Sequence, residues 1–397
     1  MKDVVIVEAK RTAIGKLGGS LGNETVDFLA SHVLKGLMEK MKVPKNEIDE
    51  IIIGQAKQSA DASNLARLAT LRAGFPESIP SYTLHRQCGS GVQSVHSAAQ
   101  QIMSGFADVV IAGGAESMST APYYMRNIRF GLKSGNGLLL DPNTESQPGS
   151  QPVEEYGQLT MGMTAENLAE KYRISRMEQD EFALRSQENA RSAITAGFFE
   201  KEILPYTVNE RKKSSTFMVD EHPRVTTIEK LSQLKPVFKQ GGTVTAGNSS
   251  GRNDGAAALL LMSREKADEF SIQPKVKIIA QAAAGVDPRY MGIGPVPATQ
   301  KALKQVQLTI EDMDIIELNE AFSAQALAVI KELGLSIEKV NLNGGAIAMG
   351  HPIGATGSIL LTKAIHELER TGKKYALVTL CIAGGLGIST IIENLQI

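Results

Sequence analysis

The feature that most constrains this chain is that its strand-like runs occur twice, in the same order. Val4-Val5-Ile6-Val7 returns as Val276-Lys277-Ile278-Ile279, and Ile51-Ile52-Ile53-Gly54 returns as Ile315-Ile316-Glu317-Leu318. Val109-Val110-Ile111-Ala112-Gly113-Gly114 returns near the end in Val378 to Gly385. Short apolar runs bounded by Gly or charge read as buried strands, and Ala256–Met262 is a further one. Buried strands look alike, so chance agreement is the competing explanation. Three pairs in one order favour two copies of one α/β unit.

Helical patterns lie between the runs. Ser90–Gly105 carries Val92, Val95, Ala99 and Ile102 on one face, with Gly105 placed to end it. Ser175 and Glu178 have the spacing of a capping box, opening a helix that stops near Gly197. Ala321–Leu333 is closed by Gly334, and Ala355–Leu368 has Gly372 just beyond it. Glycine is abundant (37 residues) and Trp absent, which suits an α/β enzyme with tight strand-to-helix turns. Residues 119–246 fit neither copy. They carry polar stretches such as Asp141-Pro142-Asn143-Thr144, Gln147-Pro148-Gly149-Ser150 and Arg211-Lys212-Lys213-Ser214-Ser215. So long a segment over a packed core is expected to be functional. The expected division is one half from 1–118 with 247–270, a loop domain at 119–246, and a second half at 271–397.

Composition removes several classes of function. The 397 residues hold 42 Lys+Arg against 43 Asp+Glu, so the basic excess of a nucleic-acid binder is missing. Two cysteines exclude a disulfide framework and a Cys-only zinc site, and the six histidines include no i, i+4 pair, so no metal is expected. No apolar stretch reaches the length of a membrane span, and no leader ahead of the first strand is expected. A cytoplasmic protein is expected.

The chemistry concentrates in glycine-rich turns. Cys88 stands in Arg86-Gln87-Cys88-Gly89-Ser90-Gly91, ahead of a helix whose N-terminal dipole would lower the thiol pKa from about 8.5. A nucleophile and an inert buried thiol are both open at this point. Cys381 closes a strand before Ile382-Ala383-Gly384-Gly385, where α/β sheets form sites, or it is a core cysteine. His351, in Gly350-His351-Pro352-Ile353-Gly354-Ala355-Thr356-Gly357, reads as a rigidly aimed base. Asn319 either caps a helix in front of the acidic Glu320 or holds a water or a developing oxyanion. His32, His85, His96, His222 and His366 read as structural or surface residues. Neither a dinucleotide fingerprint nor a triphosphate loop is present.

In these motifs the chain resembles the thiolase family over essentially its whole length. Arg86 to Gly91, Asn319-Glu320-Ala321-Phe322, Gly350 to Gly357, and Cys381 to Gly385 match in family order. Val244-Thr245-Ala246-Gly247-Asn248-Ser249-Ser250-Gly251 and Met291-Gly292-Ile293-Gly294-Pro295 add to them. The resemblance implies a five-layer α/β/α/β/α fold of two similar βαβ-type halves with an inserted loop domain. It implies ping-pong acyl transfer in which Cys88 carries the acyl group, His351 activates it, and Cys381 is acid and base. His351 and a water on Asn319 would stabilise an enolate oxygen, and the N–H groups of Cys88 and Ala383 would hold the tetrahedral oxyanion. Ser250 and Arg224 match coenzyme A contacts, and Met291 and Phe322 would wall the pantetheine tunnel. Coenzyme A is then a substrate and no cofactor is expected. The partners implied are acyl-CoA, coenzyme A and a second copy of the chain, as homodimer or homotetramer with a tetramer loop at Ala121–Asp141.

Departures from the family pattern bear on substrate. Thr160 precedes Met161-Gly162 where enzymes acting on the shortest substrate usually carry His. His85 replaces a usual Asn, Ala383 a frequent Gly and Leu386 a frequent Gln, and each is a candidate for trimming the pocket. Acetyl-CoA C-acetyltransferase activity is the leading expectation, with a degradative 3-ketoacyl-CoA thiolase of broader chain length as its rival. A non-catalytic acyl-CoA-binding scaffold and a thiol redox protein are the readings from other classes. Two thiols and a base together argue against the scaffold.

Overall fold

The computed structural model describes residues 2–39, 41, 43–210 and 213–397. Arg211 and Lys212 of the charged middle stretch lie outside the described residues. The strands are β1 Val4–Arg11, β2 Gly15–Lys16, β3 Glu50–Gly54, β4 Ser81–Leu84, β5 Val109–Ser117, β6 Tyr206–Glu210, β7 Lys213–Phe217, β8 Asn253–Ser263, β9 Val276–Gly285, β10 Ile315–Leu318, β11 Tyr375–Ile382 and β12 Leu386–Asn394. Hydrogen bonds join them in the order β10-β11-β12-β9-β1-β8-β5-β3-β4, with β2 on β8 and β6-β7 as a separate hairpin. Only Val5 with Lys277 and Ile6 with Val276 link β1 to β9, so the path divides there into two half-sheets.

The halves repeat each other. β3 runs parallel to β5, and β8 and β1 follow antiparallel. β10 runs parallel to β11, and β12 and β9 follow antiparallel. The three pairs of the sequence echo therefore occupy equivalent places: β1 and β9, β3 and β10, β5 and β11. A fourth pair, β8 and β12, escapes sequence reading because β12 starts inside Gly384-Gly385-Leu386-Gly387, which reads as a turn. β4 has as its counterpart only a single bridge between Ile316 and Val340.

The layers follow from the two-residue period of buried strands. In β5, Val109 and Ile111 face one way, and Val110 and Ala112 the other. The first face joins Val5, Ile51 and Leu260 against helices Val26–Met38 and Leu65–Arg72. The second packs on helices Ser90–Ser104 and Thr356–Thr371, which also receive Ile315, Val378, Leu380 and Ile388 from the other half-sheet. Ile316, Leu377 and Ile391 then face helices Pro295–Val306 and Ser323–Leu333. Helix, sheet, helix, sheet and helix make five layers.

Glycines set how closely the central helices meet. A Cβ on Gly357 would come within 2.5 Å of the Val92 backbone nitrogen, and one on Gly91 within 2.7 Å of the Ser358 nitrogen. The two N-termini consequently touch, and the turns that precede them are brought together. Gly105 and Gly372 end these helices with φ of 81° and 64°. The helix expected from Ala321 starts instead at Ser323, because Phe322 is extended at φ −148° and ψ 149°. Ser175 and Glu178 form the capping box in front of helix Arg176–Thr195.

The middle segment is tied to the core by buried charge. Arg11 at the end of β1 is fully buried; its guanidinium donates to both Asp220 oxygens at 2.7 and 3.0 Å and to Glu202 at 2.7 Å. Paired this way, the guanidinium is held above its ordinary pKa against the opposing effect of burial.

Candidate active site

Cys88, His351 and Cys381 line one cavity of about 200 Å³, together with Ser250, Met291, Phe322 and Ala383. The remaining wall includes Lys57, Met161, Phe238 and residues of the 141–150 stretch. A wider cleft of about 750 Å³ lies around Glu8, Lys10, His366 and Glu369. It holds no cysteine, and several of its charges pair with each other, Lys275 with Glu369 at 2.8 Å and Lys10 with Glu8 at 3.6 Å.

The Cys88 turn is fixed from both sides. Ser90 Oγ accepts the Arg86 N–H at 2.9 Å and donates to the Gln87 carbonyl at 2.7 Å, while Gln87 takes a positive φ of 44°. Gly89 leaves room for Ile382, whose Cδ1 would lie 2.4 Å from a Cβ there. The Cys88 turn thus rests directly on the end of β11, which carries Cys381.

The thiol pKa differs from the sequence expectation. Burial pushes Cys88 above its ordinary value, opposed by the Ala383 N–H and the Lys57 ammonium. Desolvation of the thiolate outweighs the stabilisation expected from the helix N-terminus. Cys381 is 1% exposed and is pushed up by burial and then by its neighbour Cys88. Both sulfurs rest as neutral thiols.

His351 is held at two points. Its backbone N–H donates to Asn253 Oδ1 at 2.9 Å, and its Nδ1 lies 2.6 Å from Thr356 Oγ1. The single hydroxyl proton of Thr356 goes to the Pro352 carbonyl at 2.9 Å, so toward His351 this oxygen accepts. That assignment puts the ring proton on Nδ1 and leaves Nε2 with a free lone pair. Burial, followed by the Lys57 charge, lowers the His351 pKa to about 4, so the ring is neutral at physiological pH. Gly350, at φ 103°, is required beside Asn253, whose side chain would be 2.3 Å from a Cβ. Glu116 pins the same loop by accepting the N–H groups of Gly354, Ala56 and Lys57 at 2.9, 3.0 and 3.1 Å.

Asn319 does not cap a helix, and it is not part of the cavity wall. It is fully buried, and neither its Oδ1 nor its Nδ2 has a protein partner among the described residues. A buried amide in that condition is a seat for an ordered water. Glu320, expected as a first-turn acid, is buried and accepts from Asn341 at 2.7 Å and Ser186 at 2.7 Å, a structural role. Ser250 donates its N–H to the Ala321 carbonyl at 3.0 Å, which sets it beside Phe322. The Phe322 ring meets Phe238 edge-to-face at 6.0 Å. Arg224 is not brought into the wall: it is exposed, with its guanidinium on the Ala246 carbonyl at 3.2 Å.

Among the departures from the family pattern, only Ala383 reaches the cavity. Thr160 accepts the Met163 N–H at 3.3 Å and caps helix Met161–Tyr172. His85 is exposed on the Ala56 carbonyl at 3.0 Å, and Leu386 is 38% exposed. Residues that sequence reading missed are Lys57, Phe238, Asn253 and Thr356. Thr356 lay inside a quoted motif, whereas the others sit in segments with no motif of their own.

Comparison with known proteins agrees with this geometry. The chain matches the family model "Thiolase, N-terminal domain" over residues 4–265 and "Thiolase, C-terminal domain" over 272–394. It is 48% identical to an acetyl-CoA acetyltransferase of Chromobacterium violaceum, covering 99% of this chain and 100% of the relative. The Bacillus anthracis acetyl-CoA acetyltransferase structure superposes with a TM-score of 0.97 at 48% identity, covering 100% of this chain and 99% of that one. Human mitochondrial 3-ketoacyl-CoA thiolase in complex with CoA gives 0.94 at 45% identity, covering 99% and 98%. With two paired halves, two thiols and a buried histidine on one cavity, and matches across both domains, the chain belongs to the thiolase family and is an acyltransferase.

Proposed function

We propose that the protein is an acetyl-CoA C-acetyltransferase that cleaves and forms acetoacetyl-CoA and related 3-oxoacyl-CoA thioesters. The observation that carries this reading is the convergence of Cys88, His351 and Cys381 on one cavity in matched neutral protonation states. In thiolysis, His351 Nε2 takes the Cys88 proton as Sγ attacks the 3-oxo carbon. The N–H groups of Cys88 and Ala383 accommodate the oxyanion. The C2–C3 bond then breaks, leaving the acyl group on Cys88 and an acetyl-CoA enolate. His351 and a water held by Asn319 stabilise the enolate oxygen, and the Cys381 thiol returns the proton to carbon. Coenzyme A thiol finally gives its proton to the Cys381 thiolate and takes the acyl group from Cys88, and His351 returns the first proton to Cys88 Sγ. One oxyanion donor is worth about 10²–10³ in rate.

Ser250, Met291 and Phe322 fit a pantetheine-lining role, and Arg224 a contact at the solvent end. The Thr160 departure, a helix cap beyond the wall, gives no reason to exclude acetoacetyl-CoA. We likewise propose residues 119–246 as a covering loop domain on halves 1–118 with 247–270 and 271–397. A homodimer or homotetramer is in keeping with Phe130, Leu138 and Leu139 standing exposed in the Ala121–Asp141 stretch. No helix among the described residues is long and apolar enough to cross a membrane, and we place the protein in the cytoplasm.

The test is loss of the magnesium–enolate absorbance of acetoacetyl-CoA on adding coenzyme A. Rapid loss with wild type and none with Cys88→Ala supports the proposal. No loss with any 3-oxoacyl chain length sinks it in favour of a binding scaffold.

A further inference from the structure

One wall residue has no part in the acyl transfer described above. Lys57 follows the end of β3 and is 7% exposed, yet its side chain lines the same cavity as Cys88. Its ammonium donates to Ser146 Oγ. An ammonium carries three donors, and among the described residues no carboxylate lies within ion-pair distance of this one. Glu116, the nearest acid in electrostatic terms, already accepts three backbone N–H groups. The cavity wall itself contains no Asp or Glu. Its other cation, Arg252, is engaged by Asp141 at 3.3 Å and Thr144 at 3.3 Å. Lys57 is therefore a buried cation with spare donors, facing a space that an acyl group on Cys88 would enter.

We propose that Lys57 is a specificity-determining residue that pairs with a carboxylate on the acyl chain, so that the preferred substrates are 3-oxoacyl-CoA thioesters of dicarboxylic acids. The inference rests on the thiolase reading of the same cavity. A lone buried ammonium is unfavourable, and burial holds its pKa below the ordinary lysine value. A carboxylate arriving on the substrate would offset that cost, and an alkyl chain of equal length would not. The apolar side of the wall, Met161, Phe238, Met291 and Phe322, leaves the polar group formed by Lys57, Asn143 and Ser146 to receive the charged end. The phosphates of coenzyme A are the other anionic source, but they are common to every substrate and cannot produce discrimination between acyl chains.

The experiment compares kcat/KM for thiolysis of the six-carbon 3-oxo-dicarboxylic mono-CoA thioester with that for 3-oxohexanoyl-CoA, in wild type and Lys57→Met. Wild type is expected to prefer the dicarboxylic substrate by about tenfold or more, the worth of a charge-assisted hydrogen bond. In K57M the ratio is expected to fall to about one or below. A wild-type ratio at or below one overturns the proposal whatever the variant does. Equal loss on both substrates in K57M also overturns it, and would assign the Lys57 charge to Cys88 instead of the acyl chain. Acetoacetyl-CoA, assayed alongside on wild type, separates the two levels: if neither it nor either six-carbon substrate is cleaved, the thiolase reading itself has failed.

Discussion

At the scale of single residues, the site works by holding its acid–base groups neutral until substrate arrives. Cys88 and His351 are pushed in opposite directions by the same cause, burial, so the resting pair is thiol with imidazole and not thiolate with imidazolium. The alkylation rate of Cys88 by iodoacetamide in the absence of substrate should therefore be low at pH 7 and still rising at pH 9. A plateau reached below pH 7 would mean a preformed ion pair. Thr356 acts through His351, whose tautomer it sets. Thr356→Val is expected to lower kcat by about tenfold to 10²-fold with KM little changed, and Thr356→Ser to restore most of it. Steady-state kinetics of the two variants checks this.

His96 is a residue-scale reporter of stability. It is buried against Thr390 Oγ1 at 2.7 Å, and burial, followed by Arg86, lowers its pKa to about 3. The unfolded chain, with an ordinary histidine near 6.5, binds this proton first as pH falls. Stability is thus lost on going down through pH 6.5 toward 3, by up to about 1.4 kcal/mol per pH unit. His96→Gln should flatten the dependence of unfolding free energy on pH between 6.5 and 5. An unchanged slope would contradict the assignment.

At the scale of elements, the site exists because two central helices begin at the same place. Gly357 faces the Val92 backbone nitrogen so closely that Gly357→Ala must move one helix against the other. A loss of about 1–3 kcal/mol in denaturant unfolding is expected. A larger fractional loss in thiolysis should accompany it, since the Cys88 and His351 turns no longer meet. The repeat that creates this meeting was legible in the sequence because buried strands such as Val109–Ala112 and Ile315–Leu318 announce themselves as apolar runs. β12 was not legible, as Gly384, Gly385 and Gly387 hide its start. β4 and the β6–β7 hairpin were not either, their residues being short, polar or both. Of the site, the motif-bearing Cys88, His351 and Cys381 could be read directly. Lys57 and Phe238 could not, since only the fold brings isolated residues from separate segments to one wall, and Asn253 reaches the site only through the His351 backbone. Arg224, suggested by pattern, lies outside the cavity wall, exposed and bonded to the Ala246 carbonyl.

At the scale of the whole molecule, the segment that supplies Ser146, Met161 and Phe238 to the cavity depends on a remote anchor. Arg11, Asp220 and Glu202 join that segment to β1 in a dry environment, where removing one partner strands the others. Arg11→Met is expected to cost about 3–5 kcal/mol in urea unfolding and to expose the middle segment to proteolysis before the rest of the chain. Simultaneous cleavage throughout would mean that the segment is not separately anchored.

Acyl transfer in the proposed reaction runs through Cys88. The decisive measurement is mass spectrometry of peptides from enzyme mixed with acetyl-CoA and quenched before coenzyme A is added. One acetyl group on the Cys88 peptide, retained in Cys381→Ala and discharged by coenzyme A, is the predicted result. An enzyme active in thiolysis whose acetyl group is found on Cys381, or on neither cysteine, would contradict it.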